Sequence, residues 1–134
     1  MRSAFERPEV VASYEDWFRT AYGRMVEQIE VDLILEQLAP LACGATVLDI
    51  GCGTGWFGAR MMEHGFAVAG VDPSCPMFAW AKSRFRVACR DATKLPFGDG
   101  AFDAAYLIAV LDFVRAIPWR CFRKPGVSSD RASR

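Results

Sequence analysis

The chain has 134 residues, from which we expect one domain of ordinary size rather than a two-domain enzyme. Hydrophobic residues make up 52% of the chain, a proportion that excludes a disordered polypeptide. The 16 basic and 16 acidic residues cancel, so we expect no nucleic acid and no anionic membrane surface as a partner.

The first forty residues have the apolar spacing of helices. Two stripes recur at helical spacing along this region: Tyr14, Trp17, Phe18 and Tyr22, followed by Val26, Ile29, Leu33 and Leu38. Pro40 and Gly44 end the pattern. We therefore predict a helical region at residues 1–40, with the members of the first stripe sharing one face.

From residue 41 onward, short β-rich runs alternate with segments of helical length. The predicted strands are 46–50, 67–71, 85–89 and 101–108, and the predicted helices are 56–63 and 76–83. This alternation is typical of a doubly wound parallel α/β sheet. Aliphatic residues become rare after residue 117. The predicted organisation is a helical region at 1–40, an α/β core at 41–117 and an irregular tail at 118–134.

The five cysteines are odd in number and are never spaced as CxxC, so neither a disulfide framework nor a metal site is indicated. We expect small buried thiols. No apolar run approaches the ~18 residues that a membrane span needs, and the N-terminus lacks a signal-peptide core. We therefore expect a cytoplasmic protein.

The most informative stretch is 47–55, VLDIGCGTG, an apolar strand that turns through three glycines directly into a helix. Glycine permits positive φ angles and lets backbone N–H groups approach a ligand. The helix that follows directs its N-terminal N–H groups toward the same point. We predict a ligand-binding loop of Gly51, Cys52, Gly53 and Gly55, while Asp49 either faces the ligand or caps local N–H groups.

Two classes of ligand compete for this loop. The dinucleotide fingerprint G-x-G-x-x-G fits Gly53, Gly55 and Gly58. In that register, however, Gly51 and Cys52 separate the predicted strand from the first glycine, and the turn should already begin at that point. A carboxylate at Asp72, after the second predicted strand, would accept both ribose hydroxyls of a nucleoside in either class. Asp72 therefore does not separate the two classes.

A strand that ends in an acid and continues as G-x-G-x-G resembles the first motif of class I S-adenosylmethionine-dependent methyltransferases. Residues 91–103, which contain LPF and GDGAFD, are similar to the third-strand region of the methyltransferase type 11 group, which includes quinone-biosynthesis methyltransferases. The resemblance implies a Rossmann-like sheet of order 3-2-1-4 with an N-terminal helical cap. It also implies S-adenosyl-L-methionine as cofactor and methyl transfer to a small-molecule acceptor.

The resemblance further implies roles for individual residues. Asp91 would take the adenine amino group, and the backbone of Ala92 would contact a ring nitrogen. Ile108 and Ala109 would lie beside the methionine part of the cofactor, and Tyr14 would contact it from the cap. Two local alternatives remain open, because Asp91 is also placed to cap the chain before Thr93 and Tyr14 also suits core packing. No general base is identified.

Methyltransferases of this class have a longer sheet, and this chain has residues for the first four strands. We therefore expect a chain truncated after about residue 114, with the fourth strand as an exposed edge through which copies self-associate. Two alternative functions stay open: an inactive cofactor-binding fragment that lacks the acceptor site, and an NAD(P)-binding oxidoreductase domain.

Overall fold

The computed structural model describes residues 6–91 and 93–108, which form a parallel four-stranded sheet and its helices. The helices are α1 (Pro8–Tyr14), α2 (Asp16–Arg19), α3 (Ala21–Leu38), α4 (Trp56–Glu63) and α5 (Cys75–Ala81). The strands are β1 (Thr46–Ile50), β2 (Ala67–Asp72), β3 (Arg86–Cys89) and β4 (Ala104–Leu107). The order β3-β2-β1-β4 confirms the predicted order 3-2-1-4.

Strand β1 forms the centre of the sheet, because it pairs in parallel with β2 on one side and with β4 on the other. Its side chains alternate between two buried faces. Leu48 and Ile50 pack on one face with Leu95 and Phe102, which belong to the segment between β3 and β4. Val47 packs on the opposite face, beneath α3 and α4. Both faces of β1 are therefore covered.

The N-terminal region is divided into three helices, and this division corrects the predicted shared face. Thr20 ends α2 and caps α3, since its hydroxyl accepts a hydrogen bond from the Gly23 N–H at 3.0 Å. The turn at Thr20 changes the direction of the chain between the members of the stripe. Phe18 is consequently buried, whereas Trp17 and Tyr22 are 42% and 65% exposed.

The second stripe is corrected in the same way. Ile29 and Leu33 face outward with 53% and 55% of their surface exposed, while Val31 and Leu38 turn toward the core. Helix α3 is thus apolar on two opposite sides, and the pattern of apolar residues alone does not show which side the sheet covers.

Strand β4 begins at Ala104, later than the predicted start at residue 101. The carboxylate of Asp103 accepts hydrogen bonds from the Thr46 N–H at 2.9 Å and from the Thr46 hydroxyl at 3.2 Å. These bonds anchor Asp103 beside the start of β1, and the regular ladder begins after it. Among the described residues, β4 pairs with β1 alone.

The cysteines divide by position. Cys52 is buried as expected, but Cys43 and Cys75 are exposed, so the expectation of buried thiols is wrong for these two. The described residues contain no group of His, Cys, Asp or Glu that could hold a metal ion. In residues 6–91 and 93–108, no helix has the length and apolarity needed to cross a membrane. The predicted tail lies outside the described residues, and the domain boundaries stay predictions.

Candidate cofactor-binding site

The glycine loop leaves the carboxyl end of β1 at Gly51, which is where the sequence places the start of the turn. Gly51, Gly53 and Gly55 have φ angles of 72°, 54° and 85°, a region that side chains with a Cβ rarely adopt. The loop is fastened to the adjacent strand, because the N–H groups of Gly51 and Cys52 both donate to the Val71 carbonyl at 2.8 and 3.1 Å. The loop is therefore a fixed feature of the sheet edge.

Cys52 lies within this loop, but its side chain turns away from the open edge. Its thiol packs against Ala81 and Phe85. A Cβ on Gly70 would come within 2.7 Å of the sulfur, so glycine at that position makes room for it. Burial raises the pKa of the Cys52 thiol, which keeps the sulfur protonated and unreactive. Only the backbone of Cys52 remains for contact with a ligand.

Asp72 closes the loop from the end of β2. One carboxylate oxygen accepts a hydrogen bond from the Gly53 N–H at 2.9 Å, and the other accepts from the Ser74 N–H at 2.8 Å. Burial raises the pKa of Asp72, and these two bonds oppose the rise. The carboxylate is thus held in one orientation beside the glycines, with further lone pairs that can accept hydrogen bonds.

Asp49 lies at the same edge on β1, with only 3% of its surface exposed. Its carboxylate accepts a hydrogen bond from the Tyr106 hydroxyl at 3.0 Å, and no bond to a neighbouring backbone N–H is seen among the described residues. Burial raises the pKa of Asp49 to about 7, the Tyr106 bond opposes the rise, and the charge of Asp72 adds to it. Asp49 is therefore close to its point of titration at neutral pH.

Tyr14, at the end of α1, lies across the loop from Gly53. A Cβ built on Gly53 would stand 3.8 Å from the Tyr14 hydroxyl and 3.9 Å from the sulfur of Met77. Burial, followed by the charges of Asp49 and Asp72, raises the pKa of Tyr14 to about 12. The missing side chain at Gly53 thus leaves a narrow space between the loop and the N-terminal helices.

An ion pair between Arg84 and Glu15 fixes the N-terminal helices over this space. The Glu15 carboxylate is buried, and it accepts from two nitrogens of the Arg84 guanidinium, at 2.5 and 3.2 Å. Arg84 also donates to the Thr54 carbonyl at 3.1 Å, so one side chain ties the loop to the turn between α1 and α2. Sequence reasoning missed this contact, because nothing in the local pattern relates residues so far apart in the chain.

The remaining predicted residues occupy the same sheet edge or lie outside the described part. Asp91 follows β3, and one of its oxygens accepts from both the N–H and the hydroxyl of Thr93 at 2.8 Å. These bonds lower the pKa of Asp91 and match the local capping alternative, although no helix begins among the described residues that follow Asp91. Ile108 follows β4 and lines an open pocket near Tyr14. Ala92 and Ala109 lie outside the described residues.

The edge brings together two buried carboxylates, those of Asp49 and Asp72, and neither forms an ion pair with a described residue. Burying two carboxylates without a basic partner lowers the stability of the folded chain, because the charges lose their hydration. Such an arrangement favours a ligand that carries positive charge. A pyrophosphate group placed beside Asp49 would meet repulsion.

Comparison with known protein families settles the class of this fold. A family model described as "Methyltransferase domain" matches residues 48–124, which include the end of β1, the glycine loop and strands β2, β3 and β4. The chain belongs to this methyltransferase family. A demethylmenaquinone methyltransferase from Beutenbergia cavernae is 42% identical over 64 residues, which cover 46% of this chain and 27% of that protein.

Solved structures agree with the family match. A protein from Methanococcus maripaludis superposes with a TM-score of 0.75 at 16% identity, over 92% of this chain and 62% of that one, and shows the same Rossmann-like fold. An S-adenosylmethionine-dependent methyltransferase from Mesorhizobium loti is 34% identical, with a TM-score of 0.51 over 57% of this chain and 39% of that one. The methyltransferase domain described here spans about a third of the length of the curated relatives that it matches.

Proposed function

We propose that this methyltransferase domain binds S-adenosyl-L-methionine at the glycine loop, and that the protein transfers the methyl group of that cofactor to a small molecule. The observation that carries the proposal is Asp49, which is buried at the end of β1 and is not paired with a basic residue among those described, while Asp72 is fixed beside Gly53 as an acceptor for ribose hydroxyls. S-adenosylmethionine carries a sulfonium and an ammonium group, so its positive charge complements Asp49. NAD(P) carries a negative pyrophosphate and does not.

Gly53 keeps side-chain atoms out of the gap between the loop and Tyr14, since a Cβ at position 53 would come into contact with the Tyr14 hydroxyl and the Met77 sulfur. In the proposed arrangement Asp72 accepts the ribose hydroxyls, Asp49 faces the sulfonium or amino end, and Asp91 takes the adenine amino group. Gly51, Cys52, Gly53 and Gly55 contribute backbone, and Tyr14 and Ile108 cover the methionine part.

When bound, S-adenosylmethionine supplies a methyl group that is already activated by the positive sulfur. The work left to the chain is to position donor and acceptor and to exclude water. Arg84 and Glu15 hold Tyr14 against the loop, which is a contribution to positioning. The methyltransferase match favours this function over an oxidoreductase domain or an inactive binding fragment.

Calorimetry with S-adenosylhomocysteine and NAD tests the cofactor assignment. We expect S-adenosylhomocysteine to bind and to raise the thermal midpoint, and NAD to do neither at the same concentration. Asp72→Ala should weaken S-adenosylhomocysteine binding at least about tenfold, or ~1.4 kcal/mol, because it removes a charged acceptor from two hydroxyls. Asp32→Ala removes the same charge from the exposed side of α3 and serves as the control. A loss under about threefold for Asp72→Ala contradicts the ribose role.

We also propose that copies of the chain self-associate through β4. Among the described residues this strand has one pairing partner, β1, and its other edge is open to a further strand. Light scattering on the purified chain should show dimers or larger species. Ala105→Pro should reduce them, since proline cannot donate a hydrogen bond to an added strand. A monomer at all concentrations would contradict the proposal.

A further inference from the structure

An open pocket of about 450 Å³ lies beside the glycine loop, between the N-terminal helices and the end of β4. Four aromatic residues, one carboxylate and one aliphatic residue form most of its wall: Tyr14, Trp17, Phe18, Phe57, Glu30 and Ile108. Tyr14 faces both this pocket and Gly53, so the pocket adjoins the space assigned above to the cofactor.

The aromatic rings of the wall hold one another in fixed orientations. Phe18 makes edge-to-face contacts with Tyr14, Trp17 and Phe57, at centroid distances of 5.6, 5.1 and 5.5 Å. Trp17 remains 42% exposed although it belongs to this cluster, so part of its indole is open to a ligand. The face of an aromatic ring is negative and attracts a cation.

Glu30 is the charged residue of the wall, and no basic residue lines the pocket among those described. It is half-buried and forms no ion pair or hydrogen bond with the described residues. The nearby Ser13 hydroxyl is directed to the backbone carbonyls of Glu9 and Val10. Burial raises the pKa of Glu30, as expected for a carboxylate that lacks a partner.

An unpaired carboxylate in the same pocket as the partly exposed indole of Trp17 is a combination that recognises an organic cation. We propose that this pocket receives the methyl acceptor, and that the acceptor is a small amine with an apolar or aromatic body whose nitrogen is bound by Glu30. The proposal rests on the function proposed above, because it identifies the second substrate of the same site. Trp17 would hold the apolar body, and the side of the pocket toward Tyr14 and Gly53 would bring the nitrogen to the methyl donor.

In methylation of such an acceptor, Glu30 takes the proton that the amine must lose. The ammonium gives one proton to the Glu30 carboxylate, and the neutral nitrogen then attacks the methyl carbon of the sulfonium donor. The new N–C bond forms as the C–S bond breaks, and the electron pair of that bond stays on sulfur, which becomes a neutral thioether. The product is the methylated ammonium, and the positive charge moves from sulfur to nitrogen.

Three probes of similar shape and different charge test the pocket on the full chain: phenethylamine, 2-phenylethanol and 3-phenylpropionate. Calorimetry near neutral pH should show phenethylamine binding at least about tenfold more tightly than the alcohol, and the carboxylate binding more weakly than both. Glu30→Gln should abolish the preference for the amine over the alcohol. Glu36→Gln, an exposed substitution on the same helix, should preserve it.

A second variant tests the same pocket if Glu30→Gln does not fold. Trp17→Leu removes a partly exposed ring. It should weaken binding of the amine more than binding of the alcohol, because leucine retains apolar contact but offers no aromatic face. Equal binding of amine and alcohol to the unmodified chain overturns the proposal, and so does an amine preference that survives Glu30→Gln.

Binding of S-adenosylhomocysteine, measured on the same samples, separates the two proposals. If S-adenosylhomocysteine binds and the amine does not, the acceptor proposal fails and the cofactor assignment stands. If the amine binds with the expected preference and S-adenosylhomocysteine does not bind, the cofactor assignment fails instead. Glu30→Gln should leave the affinity for S-adenosylhomocysteine within about twofold of the unmodified chain.

Discussion

Replacing Asp49 by Asn is expected to stabilise the fold and to weaken cofactor binding. The Asp49 carboxylate is buried at the end of β1, where it accepts one hydrogen bond, from the Tyr106 hydroxyl. Asn has nearly the same shape, and its amide oxygen can still accept that bond. The substitution therefore removes the buried charge and keeps the packing.

The magnitude follows from the pKa of Asp49, which burial raises from 3.8 in the unfolded chain to about 7 in the folded one. Between these values the folded chain holds a proton that the unfolded chain has lost, so stability decreases as pH rises. Each pH unit in this window costs about 1.4 kcal/mol, and the whole window costs up to ~4 kcal/mol. Below the window both states are protonated, and above it the full cost is present.

Denaturant unfolding at a series of pH values measures this cost. Asp49→Asn should be more stable than the unmodified chain at pH 8, by up to ~4 kcal/mol, and the difference should decrease toward zero near pH 4. Asp32→Asn, on the exposed side of α3, should have the same free energy of unfolding as the unmodified chain at every pH. The reasoning is refuted if the unmodified chain keeps constant stability from pH 4 to 7, or if Asn at position 49 is destabilising at pH 8.

Three further substitutions test the loop and the helices above it. Gly53→Val should abolish S-adenosylhomocysteine binding while circular dichroism still reports a fold. Valine resists a φ of 54°, and its side chain would occupy the gap between the loop and Tyr14. Unchanged affinity would place the ligand elsewhere. Arg84→Met should lower the free energy of unfolding by about 3 kcal/mol, because it leaves Glu15 buried without its partner. Adding Glu15→Gln to the same chain should recover part of this loss, as measured by thermal unfolding. Gly23→Ala should destabilise by about 1–3 kcal/mol, since its Cβ would lie 1.9 Å from the Trp17 carbonyl oxygen; an unchanged thermal midpoint would contradict this contact.

The sheet could be predicted from the sequence because its signals are local. The predicted strand at 46–50 coincides with β1, and the predicted helix at 56–63 coincides with α4. Apolar runs of strand length, separated by glycine turns, determine both the elements and their alternation. The parallel order then follows from right-handed crossovers, which leave few ways to arrange four such strands.

The orientation of the N-terminal helices could not be predicted in the same way. Helix α3 carries apolar residues on two opposite sides, so burial of Val31 and exposure of Ile29 are decided by the sheet that it meets. The bond from Tyr106 to Asp49 depends on the register of β4 against β1, where these two residues lie side by side. Neither the register nor the facing side of a two-sided helix is encoded in the spacing of apolar residues.

The two unpaired acids connect the fold to its proposed ligand. A domain of this size has a free energy of unfolding of about 5–15 kcal/mol, and a buried charge at Asp49 removes a substantial part of that reserve above pH 7. In the proposed complex, a cationic ligand beside Asp49 would supply the missing counter-charge, so the electrostatic cost of the free chain would become binding free energy. Under the proposed function, electrostatic destabilisation of the free chain and affinity for a sulfonium cofactor would therefore have the same origin in the buried charge of Asp49.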